Sequence, residues 1–248
     1  MASLAQQWGI GRSLLTYYAV PGRLRQLTRF YAQFIQPGDV CFDVGAHVGN
    51  RLWAWSRLGA HIVAVEPQPH LLDLLRRLYG RSSHIHLLPV ALGAQPGQQA
   101  LYVSRRHPTV STLSAEWITA VRQDASFANV DWDTAVSVPV VTLDELIARY
   151  GRPAFCKIDV EGYEAQVLRG LSQPLPALSF EYLPASLGVA HECLGLLARL
   201  GDYEFNWSVG ETHRWQSPRW LSAGEMGEQL VKQGKSGDVY GRWRGMKD

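Results

Sequence analysis

The sequence predicts a doubly wound α/β fold with seven principal strands, and three observations carry that prediction. From Val40 onward, short β-rich runs alternate with helical runs, the order that builds parallel βαβ units. The first β-rich run passes directly into a glycine-bearing turn and a helix, Val40-Cys-Phe-Asp43-Val-Gly45-Ala-His47-Val-Gly49-Asn50. The chain has 248 residues and is 46% hydrophobic, enough for one sizeable core.

Residues 1–36 read as a helical extension. Within them, 21–35 carries an amphipathic helix with Leu24, Leu27, Tyr31, Phe34 and Ile35 on one side and Arg25 and Arg29 opposite. Pro37-Gly38 ends it, and residues 37–248 read as the main domain. Its expected strands are Val40–Val44, Ile62–Glu66, Ile85–Val90, Ala154–Asp159, Leu178–Tyr182, Tyr203–Val209 and Asp238–Trp243. Its expected helices are 49–58, 70–79, 143–150, 161–171, 186–200 and 222–233. Between these, 94–142 breaks the rhythm. Gln99–Ser104 and Val136–Val141 alternate like strands, but the stretch between them is polar with scattered Trp, so the segment reads as an irregular insertion over the substrate side. In such a sheet, ligands sit at the carboxyl ends of the strands.

Charge excludes a nucleic-acid grip through bulk attraction, because 24 Lys and Arg barely exceed 22 Asp and Glu. The average hides an asymmetry: Arg12, Arg23, Arg25 and Arg29 precede the first carboxylate, Asp39. That basic stretch reads as a helix closing the substrate side of the sheet in preference to a contact with an anionic membrane surface. Cys41, Cys156 and Cys193 are widely spaced and form neither a CxxC pair nor a Cys/His ladder, so a reducing compartment is expected. No apolar run approaches the roughly 20 residues of a membrane span. No secretory signal opens the chain, so the expected location is cytoplasmic. A homo-oligomer is compatible with all of this.

The first turn carries the sharpest chemistry. Seventeen residues beyond Gly49 the second strand ends in Glu66-Pro67, where a carboxylate accepts both hydrogen bonds of a ribose diol. Together these features point to an adenosine-containing ligand across the first two strands. G-x-G-x-x-G is absent, which disfavours a nicotinamide-dependent oxidoreductase, and G-x-x-x-x-G-K-[ST] is absent too. What fits is acidic-x-Gly-x-Gly-x-Gly, the pattern of S-adenosylmethionine-dependent methyltransferases, with His47 at the middle glycine. Asp43 suits a cationic methionine end better than a pyrophosphate.

FDVGAHVGN, VAVEPQP, PVALGAQPG, VSTLS, VTLDELI and KIDVEGYEAQVLRGL, in that order from about Pro37 to about Pro184, resemble the successive motifs of FkbM-type methyltransferases. That family usually carries Asn where this chain has His47. The resemblance implies a class I methyltransferase (Rossmann-like) fold and methyl transfer from S-adenosylmethionine, usually to a hydroxyl of a sugar, glycan or polyketide-type natural product. It implies that Asp43, Gly45, His47, Gly49 and Asn50 surround the methionine part and that Glu66, with Pro67, takes the ribose. Ala91 and Leu92 would lie by the adenine.

An alcohol is a poor nucleophile until its proton is removed or its oxygen polarised. Asp159, Glu161 and Glu181, at the ends of the fourth and fifth strands, form the expected catalytic cluster. They act as base and substrate anchors, or Asp159 and Glu181 hold one Mg²⁺ through hard oxygen ligands. Glu161 has an alternative as the cap of the following helix, and Lys157 is expected to pair with a neighbouring acid. Ser111-Thr112 either binds an acceptor hydroxyl or is a polar loop. Trp207, Trp215 and Trp220 are expected in core packing ahead of a sugar platform. The expected activity is O-methylation of a small-molecule or carbohydrate substrate. The alternative is a cofactor-binding module without catalysis.

Overall fold

The computed structural model describes residues 4–245; the outermost residues of the two expected segments, 1–3 and 246–248, lie outside it. In chain order the elements are α1 Leu4–Tyr18, α2 Arg23–Tyr31, β1 Val40–Val44, α3 Asn50–Arg57, β2 His61–Val65, α4 Pro69–Tyr79 and β3 Ile85–Leu88. Then come β4 Ala91–Leu92, β5 Gly97–Val103, α5 Ala115–Val121, β6 Thr134–Val141, α6 Leu143–Tyr150, β7 Phe155–Ile158 and α7 Glu164–Arg169. The chain closes with β8 Ala177–Tyr182, α8 Leu187–Leu200, β9 Tyr203–Val209, α9 Ala223–Val231 and β10 Gly237–Trp243.

Seven strands form the main sheet in the order β3-β2-β1-β7-β8-β10-β9. The five from β3 to β8 run parallel, and β10 inserts antiparallel between β8 and β9. All seven expected strands are there, and the chain reverses direction in the sheet between β1 and β7, which places a crevice at the carboxyl ends of β1 and β7.

Strand alternation gives the sheet two different faces. Phe42, Val44, Ile158, Leu178 and Phe180 point one way into a core shared with Leu146 of α6, Val167 of α7, Leu194 of α8 and Leu230 of α9. Cys41, Phe155 and Tyr240 point the other way, against Leu27 and Tyr31 of α2, Leu52 and Trp55 of α3 and Leu75 of α4. Trp207 is buried in the first core, and Trp215 and Trp220 pack on the second, so the late tryptophans are packing residues.

Several boundaries differ from expectation, each for a physical reason. Helix α1 falls within the expected helical extension 1–36 but was not given bounds of its own, because Gly9, Gly11 and Ser13 are weak helix formers and its first turn carries no acid. The third strand was expected to run to Val90. It stops at Leu88, since Pro89 has no N–H for a ladder, and Ala91–Leu92 joins a second sheet instead. The segment 94–142 is more regular than expected. Its second sheet has the order β4-β6-β5 and a small core of Leu101, Val103, Val138 and Val140. Beside it, Trp117, Ile118 and Val121 of α5 pack with Phe127 and Trp132. Only alternate residues of β6 are buried, so its apolar content is too dilute to suggest a core in the sequence.

Candidate active site

The site is built on one face of the sheet, which changes character along its strands. Asp43, Lys157 and Ser179 stand in register across β1, β7 and β8, and Glu181 lies opposite Asp238 of β10. The face that is apolar at Cys41 and Phe155 therefore becomes charged as the strands reach their carboxyl ends.

Asp43 is fully buried and both its carboxylate oxygens lack a hydrogen-bond partner. Arg51 Nη1 is 3.8 Å away. Burial pushes the Asp43 pKa up to about 6 against the pull of Arg51. An orphaned buried acid is costly, and an ammonium group such as the methionine end of S-adenosylmethionine would satisfy it. Gly45 follows with φ +87°, and a Cβ there would stand 1.9 Å from the Asp159 carbonyl oxygen, so only glycine lets β1 and β7 meet at this point. His47 also lies in the left-handed region at φ +49°. Asn tolerates that conformation best among non-glycine residues, which accounts for the Asn of the related motif. Burial lowers the His47 pKa to about 4, so the ring is neutral at pH 7, and its Nε2 is buried without a partner.

Glu66 sits just past β2, 2% exposed, and accepts one backbone N–H on each oxygen, from His47 and from Gln68, both at 2.9 Å. Each oxygen keeps a second lone pair, which leaves room for the two hydroxyls of a ribose. Burial raises its pKa to about 7, opposed by those two N–H donors. Gln68 in turn donates to Pro108 O at 3.1 Å and accepts from the Ser111 hydroxyl at 3.2 Å, which ties the insertion to the end of β2.

Between these groups lies a narrow cleft. Gly45, His47, Glu66, Pro67, Ala91 and Leu92 line it, as do Asp159, Glu161 and Ser111. Asp43, Gly49 and Asn50 do not line it. Gly49 begins α3 with φ +78°, and a Cβ there would meet Leu75 and Tyr79 of α4 at 2.8 Å, so the structure gives this glycine a packing role. Asn50 opens α3 and is 5% exposed. The residues that line the cleft fit S-adenosylmethionine through a tight glycine turn and a carboxylate with free lone pairs for its diol, whereas the orphaned Asp43 is buried outside the cleft lining.

The three expected catalytic acids do come together. One carboxylate oxygen from each of Asp159, Glu161 and Glu181 lies within 4.8 Å of the others. Their protonation tendencies are opposed. Burial pushes Asp159 up, but Lys157 and Arg51 outweigh it and hold its pKa below the ordinary value. Glu161 and Glu181 are pushed well above theirs, by burial first and then by neighbouring carboxylates. Asp159 is therefore held towards its anion, while the two glutamates are pushed towards their protonated forms. Glu181 Oε2 is buried with no hydrogen-bond partner. Glu161 does not cap α7. It takes φ +54°, and Glu164 instead accepts the N–H groups of Val160 (3.1 Å) and Gly162 (3.2 Å), which shortens the expected helix 161–171 to Glu164–Arg169. Lys157 pairs with Asp238 at 2.5 Å and Asp159 at 3.6 Å, as expected of a buried lysine.

Sequence reasoning missed Arg51 and Tyr17. Arg51, 7% exposed, donates to Asp159 at 2.7 Å and links that acid to Asp43. An arginine in the first turn of a helix after such a motif reads as a solvent-facing charge, and only the fold reveals its burial. Tyr17 of α1 meets the His47 ring edge-on at 6.1 Å. Its phenol is held protonated, first by burial and then by Glu211 and Asp159, with Glu181 adding to the effect. Tyr18 beside it reaches the cofactor turn: its hydroxyl lies 3.1 Å from Val48 O and 3.1 Å from the Tyr79 hydroxyl, which donates to Gly49 O at 3.0 Å. No sequence motif marks either tyrosine.

A seven-stranded doubly wound sheet with an acidic first turn, an acidic residue closing the second strand and a cleft between them defines a class I methyltransferase that uses S-adenosylmethionine. The chain belongs to the FkbM methyltransferase family: the model of the "Methyltransferase FkbM domain" matches residues 43–186, more than half of it. A curated relative, the hexuronic acid methyltransferase AglP of Haloferax volcanii, is 23% identical over 167 residues, which cover 66% of this chain. The match spans 63% of that relative's length. Among solved structures, an O-methyltransferase of Bacillus cereus in complex with SAH aligns with a TM-score of 0.46 and 14% identity, covering 97% of this chain and 89% of that one. The precorrin-6y C5,15-methyltransferase of Geobacter metallireducens aligns with a TM-score of 0.43 and 12% identity, covering 89% and 86%. No helix among the described residues is long and apolar enough to cross a membrane.

Proposed function

We propose that this enzyme methylates a hydroxyl oxygen of a small polyhydroxylated acceptor, a sugar, glycan or polyketide-type alcohol. One observation carries the proposal: three carboxylates with opposed proton affinities meet beside the cofactor cleft, and one oxygen of Glu181 has no partner. The hexuronic acid named for AglP supports a sugar acceptor. S-adenosylmethionine supplies an electrophilic methyl on a sulfonium. The remaining work is alignment and proton removal. Glu66 would take the ribose, Ala91 and Leu92 would pack on the adenine, and Asp43 would hold the ammonium end. Asp159 stays anionic and accepts a hydrogen bond from the acceptor. Glu161 would hold the one proton of the pair, and Glu181, in its ionised form, would be the base. As the acceptor O–C bond forms and the S–C bond breaks, the hydroxyl proton passes to Glu181. A raised pKa suits that task, because it strengthens the base in its ionised form.

A second reading rests on the same 4.8 Å cluster. Three hard oxygen donors suit Mg²⁺, with Asp159 and Glu181 as ligands, and the ion would then lower the acceptor's pKa in place of the pair's one proton. We place the enzyme in the reducing cytoplasm, in keeping with three free, buried cysteines.

The test is transfer from methyl-labelled S-adenosylmethionine to a panel of sugars and polyketide alcohols, with and without EDTA. Label in an ether product supports O-methylation. Loss of that label with EDTA and its return with Mg²⁺ select the metal reading. Tight S-adenosylhomocysteine binding without transfer to any alcohol would overturn the proposal and leave a binding module.

A further inference from the structure

We propose that α1 and the 106–107 segment form a docking surface for an anionic lipid bilayer. Trp8 is 80% exposed and Leu15 is 68% exposed, and they lie seven residues apart, two turns along one side of α1. An indole standing that far into solvent is unusual for a surface without a partner. Between this side of the helix and the insertion runs an open groove lined by Trp8, Leu14 and Leu15, together with Arg12, Arg106 and His107. Among the described residues, no acidic one lines it. The helix is seated there by Gly9, where a Cβ would come within 2.7 Å of Pro108.

The charged side chains that line the groove are cationic, with Asp131 within reach of His107. The His107 pKa is lowered, by burial first and then by Arg12 and Arg106, with Asp131 opposing, so both guanidinium groups bear on the same ring. The chain carries no carboxylate before Asp39. Apolar residues headed by Trp and flanked by arginines match a membrane interface, where the indole sits among headgroups and cations meet lipid phosphates. A second copy of the chain fits less well, because its same face is lined by the same cations and offers them no acid. Pro108 lines the cofactor cleft, so docking would bring the active site to the lipid surface.

Co-sedimentation with vesicles tests this on the full chain. Expected is binding to phosphatidylcholine vesicles containing phosphatidylglycerol, little binding to phosphatidylcholine alone, and release by salt. The double variant Trp8→Ala/Leu15→Ala should partition at least about tenfold more weakly, since two buried apolar side chains are removed. The charge variant Arg12→Glu/Arg106→Glu should lose the preference for anionic lipid while keeping the wild-type circular dichroism. It serves if the first variant fails to fold. Equal sedimentation with both vesicle types, or none with either, would overturn the proposal. So would dimerisation in size-exclusion chromatography that the Trp8→Ala/Leu15→Ala change abolishes while vesicle binding stays absent.

Discussion

The two halves of the cleft are built on different plans. On the cofactor side, Asp43 to Arg51 and Glu66 to Gln68 form two short stretches, and backbone groups do much of the holding: Glu66 is clamped by two N–H donors and Gly45 meets the backbone of Asp159. On the proposed acceptor side, Tyr17, Asp159, Glu161 and Glu181 arrive from distant parts of the chain, and the neighbouring carboxylates act on the Tyr17 phenol and on Glu181. The first plan fixes a ligand common to many enzymes. The second lets acceptor chemistry change by side-chain substitution without disturbing the cofactor turn. Each half should therefore respond to mutation in its own measurable way.

The largest effect is expected on the acceptor side. Glu181→Gln removes the proposed base and should lower kcat by about 10²–10⁴-fold, with S-adenosylhomocysteine affinity unchanged by calorimetry. Asp159→Asn should also lower turnover. Because it takes the anion from Arg51 Nη2, it should reduce Tm as well. If Asp159→Asn left turnover at the wild-type level, the catalytic cluster would be wrongly assigned.

The cofactor side should answer in affinity. In Glu66→Gln one side-chain oxygen becomes an NH₂ group facing a backbone N–H, and the charged acceptor of the diol is lost. Hydrogen bonds to a charged group contribute about 1.5–3 kcal/mol, so S-adenosylhomocysteine should bind about tenfold to a hundredfold more weakly.

The same carboxylate makes binding pH-dependent. With a pKa of about 7 it is largely protonated at pH 6 in the free enzyme, and its anion is the better acceptor for two hydroxyls. Wild-type affinity should rise between pH 6 and pH 8, and Glu66→Gln should flatten that rise. Stability of the free enzyme should move the other way. Asp43 and Glu66 have folded pKa values raised from 3.8 to about 6 and from 4.5 to about 7, so their contribution is present in full below the lower values. It is lost as pH climbs through 6 and 7. Thermal melts with and without S-adenosylhomocysteine check both signs.

This contrast also decides what could be read before the structure. The five parallel strands were legible because strands buried on both faces are continuous apolar runs, and six of the nine expected cofactor residues line the cleft because they follow the ends of the first three strands. The three acids were legible because strand ends are predictable places. Arg51 was not, since burial of a helical arginine depends on Asp159, 108 residues away. Nor was Tyr17, because α1 has weak propensity and nothing local says where it packs. The order within 94–142 was hidden for a related reason: a strand buried at alternate positions looks polar in composition.

The finest separation of the two halves uses adjacent residues of α1. Tyr17 points to His47 and to the charges of Asp159 and Glu181, whereas Tyr18 reaches the carbonyl of Val48 and the Tyr79 hydroxyl. One helix thus touches both sides, so deleting it would blur them, but a single hydroxyl would not. Tyr17→Phe keeps the ring against His47 and removes only the group near the acids. It should raise the acceptor KM about fivefold, a cost of about 1 kcal/mol, and leave cofactor affinity alone. Tyr18→Phe should do the reverse, weakening S-adenosylhomocysteine by a similar factor through a looser turn. Equal losses in both constants from either change would mean that α1 acts on the cleft as a single rigid cover and that the two plans are not independent.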